Sequence, residues 1–90
     1  SPEAYRAYCK LHFAVPILRA ENDEFCAAYD KHIRPLPYET KLACMAVPLD
    51  FPVSRLMTTK QMTQYLDAVH TEFTGRGVRL TDPEQKGIAA

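Results

Sequence analysis

The sequence lacks an excess of charge of either sign. Its 90 residues carry 11 basic and 11 acidic side chains, which gives a formal net charge of zero. Proteins that bind nucleic acid without sequence preference usually have a basic excess, because their affinity comes from neutralising phosphates. The composition therefore argues against a strong non-specific nucleic-acid-binding protein and leaves room for a local basic patch.

The sequence also lacks a long apolar run and a paired cysteine motif. No apolar stretch approaches the roughly 18 residues that a membrane-spanning helix needs, and no secretory signal is visible at its start. The cysteines, Cys9, Cys26 and Cys44, lie in apolar stretches and form no CxxC pair. An odd number of cysteines without such a pair is untypical of a disulfide framework. We therefore expect buried free thiols and a cytoplasmic protein that does not enter the membrane.

The hydrophobic pattern is that of a helical globular domain. Hydrophobic residues make up 47% of the chain, the usual level for globular proteins, which excludes general disorder. Prolines separate segments in which apolar residues recur at helical spacing, and the sequence shows no strand-like alternation. We predict an all-α fold over residues 1–84, with four helices, Pro-rich connections and a short extended C-terminal tail. Residues 85–90 are predicted to be flexible.

Capping signals and proline positions set the boundaries of the first three helices. Ser1 favours a helix start, as do Asn22 or Asp23 before an acidic turn, and Pro37 at a first helical position. Pro16 is expected to make the segment around it a kinked or irregular apolar connector that packs into the core. The first three predicted helices are residues 2–13, 23–33 and 37–46.

The fourth helix has the clearest signals. Thr58 lies three residues before Gln61, the spacing of a capping box in which each side chain bonds the other residue's backbone N–H. Apolar residues then recur at the i, i+3, i+4, i+7 and i+11 positions of one helical face, and Gly75 or Gly77 supplies the end. The apolar residues of this face, which we expect to pack on the core, are Met62, Tyr65, Leu66, Val69 and Phe73.

The sequence contains no convincing catalytic or metal-binding pattern. Cys9 and His12 have the local spacing of zinc ligands, but structural zinc sites usually contain two such pairs. Glu21, Asp23 and Glu24 lie at a helix start, where capping and the helix dipole explain them. We therefore predict that the protein is not an enzyme and has no cofactor or metal.

Basic residues occur at both ends of the fourth helix. Glycines that follow a helix do not form a phosphate-cradling loop, which needs them before a helix N-terminus. Arginines beside those glycines can still contact the phosphates of a nucleic-acid backbone, and solvated arginines beside a glycine cap are the alternative. Four basic residues against two acidic ones give residues 53–81 a net charge of plus two. The four basic residues are Arg55, Lys60, Arg76 and Arg79.

The segment SRLMTTKQMTQYLDAVHTEFTGRGVRLTDPE, Ser54 to Glu84, resembles the C-terminal part of the phage NinB/Orf recombination proteins. The matching elements are a Ser/Thr-rich entry to a capped helix, the step Tyr65-Leu66-Asp67, and an ending from Gly77-Val78 to Asp82-Pro83. The resemblance covers about a third of the chain, and the first fifty residues do not follow the family's strand-bearing N-terminal half. It implies a dimeric phage or prophage protein that binds single-stranded DNA and acts with the host single-strand binding protein.

Two hypotheses follow. The first is an accessory protein of phage DNA recombination or replication in the host cytoplasm, whose four basic residues contact single-stranded DNA. Replacing Arg76 and Arg79 by Ala is then expected to weaken binding and its salt dependence. The second is a small helical adaptor that binds a host or phage protein, or a second copy of itself, without nucleic acid. The zero net charge favours the second hypothesis, since most protein interfaces need no basic field.

Overall fold

The structure, a computed structural model, describes residues 1–75 and 82–84. No strand occurs in this part of the chain, and counting its first, continuous helical rod as one element gives the predicted all-α fold of four helices. The rod consists of α1 (Pro2–Cys9), a π-helical stretch (Lys10–Ala14) and α2 (Val15–Glu21). The remaining elements are α3 (Asp23–His32), α4 (Tyr38–Met45), a 3₁₀ turn (Ser54–Leu56) and α5 (Thr59–Gly75).

Pro16 does not interrupt the first helix, so the prediction of a connector around it is wrong, whereas the predicted packing of this segment into the core is confirmed by the burial of Val15 and Leu18. A proline has no N–H, and its ring crowds the carbonyl four residues earlier in an α-helix. The π-helical stretch lies just before the proline, where the Val15 N–H donates to the Lys10 carbonyl in an i to i−5 bond. This wider turn accommodates the ring. The rod therefore continues to Glu21 and ends where Asn22 takes an extended conformation.

The capping predictions at Asn22 and at the start of α5 are confirmed, whereas Pro37 is the N-cap of α4 and not its first helical residue. The Asn22 side chain accepts from the Phe25 N–H at 2.9 Å at the start of α3. Both partners of the α5 capping box bond as expected: the Thr58 N–H donates to Gln61 Oε1 at 2.9 Å, and the Gln61 N–H donates to Thr58 Oγ1 at 3.1 Å. α3 and α4 match their predicted ranges to within one residue at each end.

The hydrophobic core lies along the inner side of the rod. Leu11, Ala14 and Leu18 of the rod are fully buried and pack in one cluster with Tyr29 of α3 and Met45 of α4. Burying a side chain of the size of Leu or Met contributes about 1.5–3 kcal/mol to folding. This cluster therefore holds α3 and α4 against the rod.

The cysteines are free thiols that differ in their exposure. Cys9 is buried, whereas Cys26 and Cys44 are partly exposed, so the expectation of buried thiols holds for Cys9 alone. Burial raises the pKa of the Cys9 thiol, because the thiolate loses its hydration. Among the described residues, no helix is long and apolar enough to cross a membrane.

The segment 82–84 packs against α3 and α4. The Lys41 ammonium of α4 lies 2.8 Å from Asp82 Oδ2 and 3.8 Å from Glu84 Oε1. The Tyr29 hydroxyl of α3 donates to Glu84 Oε1. The Glu84 N–H donates to Asp82 Oδ1 at 3.0 Å, so the Asp82 side chain caps the helical residues Pro83 and Glu84. Residues 76–81 and the predicted flexible tail, 85–90, lie outside the described residues.

Candidate anion-binding site

A pocket of about 130 Å³ lies between α1 and the segment that joins α4 to α5. Residues 51–53 form its apolar wall, and Ser54 adds a hydroxyl group. The pocket has three cationic side chains and one carboxylate, so we call it the basic pocket. Its charged residues are Arg6, Lys10, Asp50 and Arg55.

Local structure places these charges on one side of the domain. Arg6 and Lys10 are four residues apart in the rod, so they project from the same face. Asp50 has a φ of 44°, in the left-handed region that Asp tolerates better than most residues. Its N–H donates to the Ala46 carbonyl at 2.8 Å, which folds the loop back on the end of α4. This turn brings the Asp50 carboxylate to the two cations of the rod.

The three charges form a tight ion-pair group. Lys10 Nζ lies 2.5 Å from Asp50 Oδ1 and 2.8 Å from the Met45 carbonyl, and Arg6 Nη1 lies 3.0 Å from the same Asp50 oxygen. The Lys10 ammonium and the Arg6 guanidinium hold the pKa of Asp50 below its usual value. Asp50 is therefore ionised at neutral pH and offsets one of the three positive charges. The lining residues by themselves keep an excess of two positive charges, and part of this excess is offset by Glu3, whose Oε2 lies 3.7 Å from Arg6 Nη1.

Arg55 lies on the 3₁₀ turn and is exposed. It forms no ion pair with any residue in the described ranges. Its guanidinium is thus available for an anion, and a guanidinium can bind a phosphate through two parallel hydrogen bonds.

Of the two predicted basic residues that the structure describes, Arg55 lines the basic pocket. Lys60 is exposed in the first turn of α5 and is not among the lining residues. Arg76 and Arg79 lie outside the described residues. Arg6 and Lys10 were not predicted. Their spacing of four residues in one helix could have indicated that they share a face. No pattern in the neighbouring sequence indicates that Arg55 lies beside them.

α5 docks by a face that differs from the predicted one. Gln61 is buried and donates from Nε2 to Glu21 Oε1 at 3.1 Å. Tyr65 packs against the core, and Glu72 accepts from the Tyr8 hydroxyl at 3.2 Å. These three residues follow the i, i+4 and i+11 positions of one face. Two polar residues therefore belong to the docked face, where the sequence pattern predicts apolar ones.

The other side of the predicted face is open to solvent. Leu66 and Phe73 have 57% and 70% of their surface exposed, and Met62 and Val69 are partly exposed. We call these four residues the α5 apolar face. With 3.6 residues per turn, its centre lies about 90° around the helix from the docked face. The prediction that Leu66 and Phe73 pack on the core is wrong.

The Cys9–His12 pair belongs to the packing of the rod. The His12 ring stacks on Tyr8 with 4.1 Å between the ring centroids, and its Nε2 bonds the Tyr38 hydroxyl at 2.6 Å. In the described part of the chain, no three His, Cys, Asp or Glu side chains are grouped so that they could hold a metal ion. The histidine therefore joins α4 to the rod.

Comparisons with known proteins identify no family for this chain. No family model matches the chain, and searches of the curated proteins and of the solved structures find no match. The resemblance of residues 54–84 to the NinB/Orf proteins therefore stays a hypothesis. The features of the structure that bear on function are the basic pocket and the α5 apolar face.

Proposed function

We propose that this chain is a non-enzymatic accessory protein of phage DNA recombination or replication, and that it contacts single-stranded DNA at the basic pocket. The observation that carries the proposal is that Arg55 shares one pocket with Arg6 and Lys10. The phage setting rests only on the resemblance of residues 54–84.

The charge distribution suits a local contact with the DNA backbone. The chain as a whole is neutral, so it supplies no long-range attraction for nucleic acid. The positive charge that remains at this concave site, with Arg55 as a cation that has no ion pair in the described residues, can bind a phosphate group all the same, because a cleft focuses the field of the charges that line it. We therefore expect weak binding that requires low salt and shows little sequence preference.

The test is a titration of a fluorescent single-stranded oligonucleotide at low salt, followed by anisotropy. Arg55→Ala removes an exposed side chain that has no ion-pair partner in the described residues, so the fold is expected to persist. The dissociation constant of this variant for the oligonucleotide is expected to be several-fold higher than that of the unmodified protein. The slope of the logarithm of the binding constant against the logarithm of salt concentration is expected to fall in magnitude by about one. The matched control is Lys31→Ala, which removes an exposed charge on α3 away from the pocket.

Two results would overturn the DNA proposal. One is the absence of binding by the unmodified protein at low salt. The other is an equal loss in the Arg55→Ala and Lys31→Ala variants, because binding would then follow total charge and not the pocket.

A second candidate function is protein contact through the α5 apolar face. Exposed apolar surface of this kind is typical of interaction sites. The face also matches itself when two copies of α5 pair in antiparallel fashion about the midpoint between Asp67 and Ala68. Met62 then lies opposite the partner's Phe73, and Leu66 opposite the partner's Val69. A second copy of the chain is therefore the first partner to test.

Solution mass and pull-down experiments separate this candidate from the first. The double variant Leu66→Glu/Phe73→Glu is expected to remain monomeric where the unmodified protein dimerises. Thr63→Glu/Thr71→Glu adds the same charge at exposed polar positions of α5 and serves as the control. A monomer at all concentrations excludes the self-pairing. A host or phage protein that is retained after nuclease treatment, and lost only in the Leu66/Phe73 variant, would identify a different occupant of the face.

A further inference from the structure

We infer that the basic pocket recognises a terminal phosphate, the phosphomonoester at the end of a DNA strand, in preference to the internal phosphodiesters. This inference rests on the proposed DNA contact and names the chemical group that the pocket selects. It is carried by the pocket's size, its charge and the position of Asp50.

The size of the pocket suits one small group. Clefts that enclose drug-sized ligands usually measure about 300–1,000 Å³, whereas this one measures about 130 Å³. A single tetrahedral phosphate fits such a space, and a whole nucleotide does not. Residues 51–53 line the pocket, and Val53 among them is buried. A strand end can enter a pocket of this kind, while an internal phosphate needs a path for the chain on both sides.

The charge of the pocket matches a dianion better than a monoanion. Three cations and one carboxylate line it. A phosphomonoester carries a charge of about −1.5 to −2 at neutral pH, and an internal phosphodiester carries one negative charge. When Asp50 turns outward, the three cations are opposed only by Glu3, whose Oε2 lies 3.7 Å from Arg6 Nη1. The terminal group therefore offsets more of the remaining positive charge than the internal one does.

Asp50 occupies the position that the bound anion would take. Its Oδ1 bonds both Lys10 Nζ and Arg6 Nη1, as a phosphate oxygen would. The Asp50 side chain is 41% exposed, so it can turn outward when a stronger anion arrives. Asp50 is thus a built-in competitor. Its replacement by Asn is expected to increase affinity for phosphate, while replacement of Arg6 or Arg55 reduces it.

The test compares three internally labelled oligonucleotides of one sequence, with a 5′-phosphate, a 3′-phosphate or no terminal phosphate. The unmodified protein is expected to bind at least one phosphorylated strand about tenfold more tightly than the strand without one, the effect of one added charge-assisted hydrogen bond. The two phosphorylated strands show which end is read. Inorganic phosphate is expected to compete with the preferred strand.

The variants assign this preference to the pocket. Arg55→Ala is expected to abolish the preference, Asp50→Asn to strengthen binding of the phosphorylated strand, and Lys31→Ala to leave both unchanged. Circular dichroism shows whether each variant is folded. If an Arg6 variant does not fold, Arg55→Ala still tests the inference, because Arg55 is exposed and its loss is expected to leave the fold intact. Equal binding of all three strands overturns the inference. If the three strands bind equally and Arg55→Ala weakens their binding, the proposed DNA contact stands and the terminal-phosphate inference fails. If no strand binds, the DNA contact and the inference both fail.

Discussion

Lys41 Nζ on α4 lies 2.8 Å from Asp82 Oδ2, although the two residues are 41 positions apart in the chain. The Lys41 side chain is only 1% exposed, so water cannot stabilise its charge. Asp82 and Glu84 supply the negative charge instead. The contact therefore connects the folding of the segment 82–84 to the burial of α4.

Replacing Lys41 by Ala is expected to destabilise the protein strongly. The substitution leaves the Asp82 and Glu84 carboxylates without their buried counter-charge, and breaking a buried pair typically costs about 3–5 kcal/mol. Urea denaturation measures the free energy of unfolding. Lys31→Ala is the control, since this exposed lysine is expected to change stability by no more than about 0.5 kcal/mol. A loss below about 1 kcal/mol for Lys41→Ala, as in an exposed pair, would contradict the prediction.

Removing the capping hydroxyl at the start of α5 is expected to cost about 1 kcal/mol. Thr58→Ala takes away the oxygen that accepts from the Gln61 N–H and leaves that donor without its partner. Thr59→Ala changes the neighbouring exposed threonine and leaves the capping box intact. Chemical denaturation of the two variants gives the comparison. Equal losses of stability would show that the box contributes nothing specific.

The capping box shows which features could be predicted from the sequence. Its two hydrogen bonds join residues three positions apart, so the residue types at Thr58 and Gln61 are sufficient to indicate it. The Asn22 cap and the limits of α3 and α4 are local in the same way. Such features depend on interactions within one or two helical turns, and spacing along the chain determines them.

Lys10 shows why the candidate site could not be predicted. A lysine in an apolar segment is expected to reach solvent, because lysine is rarely buried without a partner. Its partner, Asp50, lies 40 residues away in a loop, and no local pattern joins them. The docked face of α5 could not be predicted for the same reason, because it also depends on a contact between residues distant in sequence. Gln61 can face inward because Glu21, distant in sequence, accepts its hydrogen bond, so a pattern of apolar residues alone selects the wrong face.

The Arg19–Asp30 pair is expected to make stability depend on pH in acid. Arg19 Nε lies 2.7 Å from Asp30 Oδ1, and Arg19 Nη2 lies 3.0 Å from Oδ2. The hydrogen bonds from this guanidinium lower the pKa of Asp30 below its ordinary value of 3.8. Because the folded-state pKa is the lower one, the pair stabilises the protein at pH values above 3.8. That contribution is lost as the pH falls through the folded-state pKa.

Thermal unfolding from neutral pH to about pH 2 tests the sign of this dependence. The unmodified protein is expected to be more stable than Asp30→Asn by a constant margin between about pH 7 and pH 5, and the margin is expected to close below 3.8. Asp67→Asn, which changes an exposed carboxylate without an ion pair in the described residues, is the control. A margin for Asp30→Asn that is the same at pH 7 and pH 2 would contradict the prediction.

The orientation of α5 predicts different costs for the same substitution at two leucines. Leu66 is 57% exposed and Leu18 is fully buried. Leu18→Ala leaves a cavity in the core and is expected to cost about 2–5 kcal/mol, whereas Leu66→Ala is expected to cost no more than about 0.5 kcal/mol. Phe25→Ala and Phe73→Ala form a second matched pair, because Phe25 is 6% exposed and Phe73 is 70% exposed.

Denaturation of these four variants has to be measured at a concentration where the protein is monomeric. If two copies pair through the α5 apolar face, Leu66→Ala also loses stability at higher concentrations, because pairing stabilises the folded state by mass action. The loss at Leu66 is then expected to grow with protein concentration, while the loss at Leu18 is not. A loss for Leu66→Ala as large as that for Leu18→Ala in the monomer would mean that α5 packs by its apolar face after all.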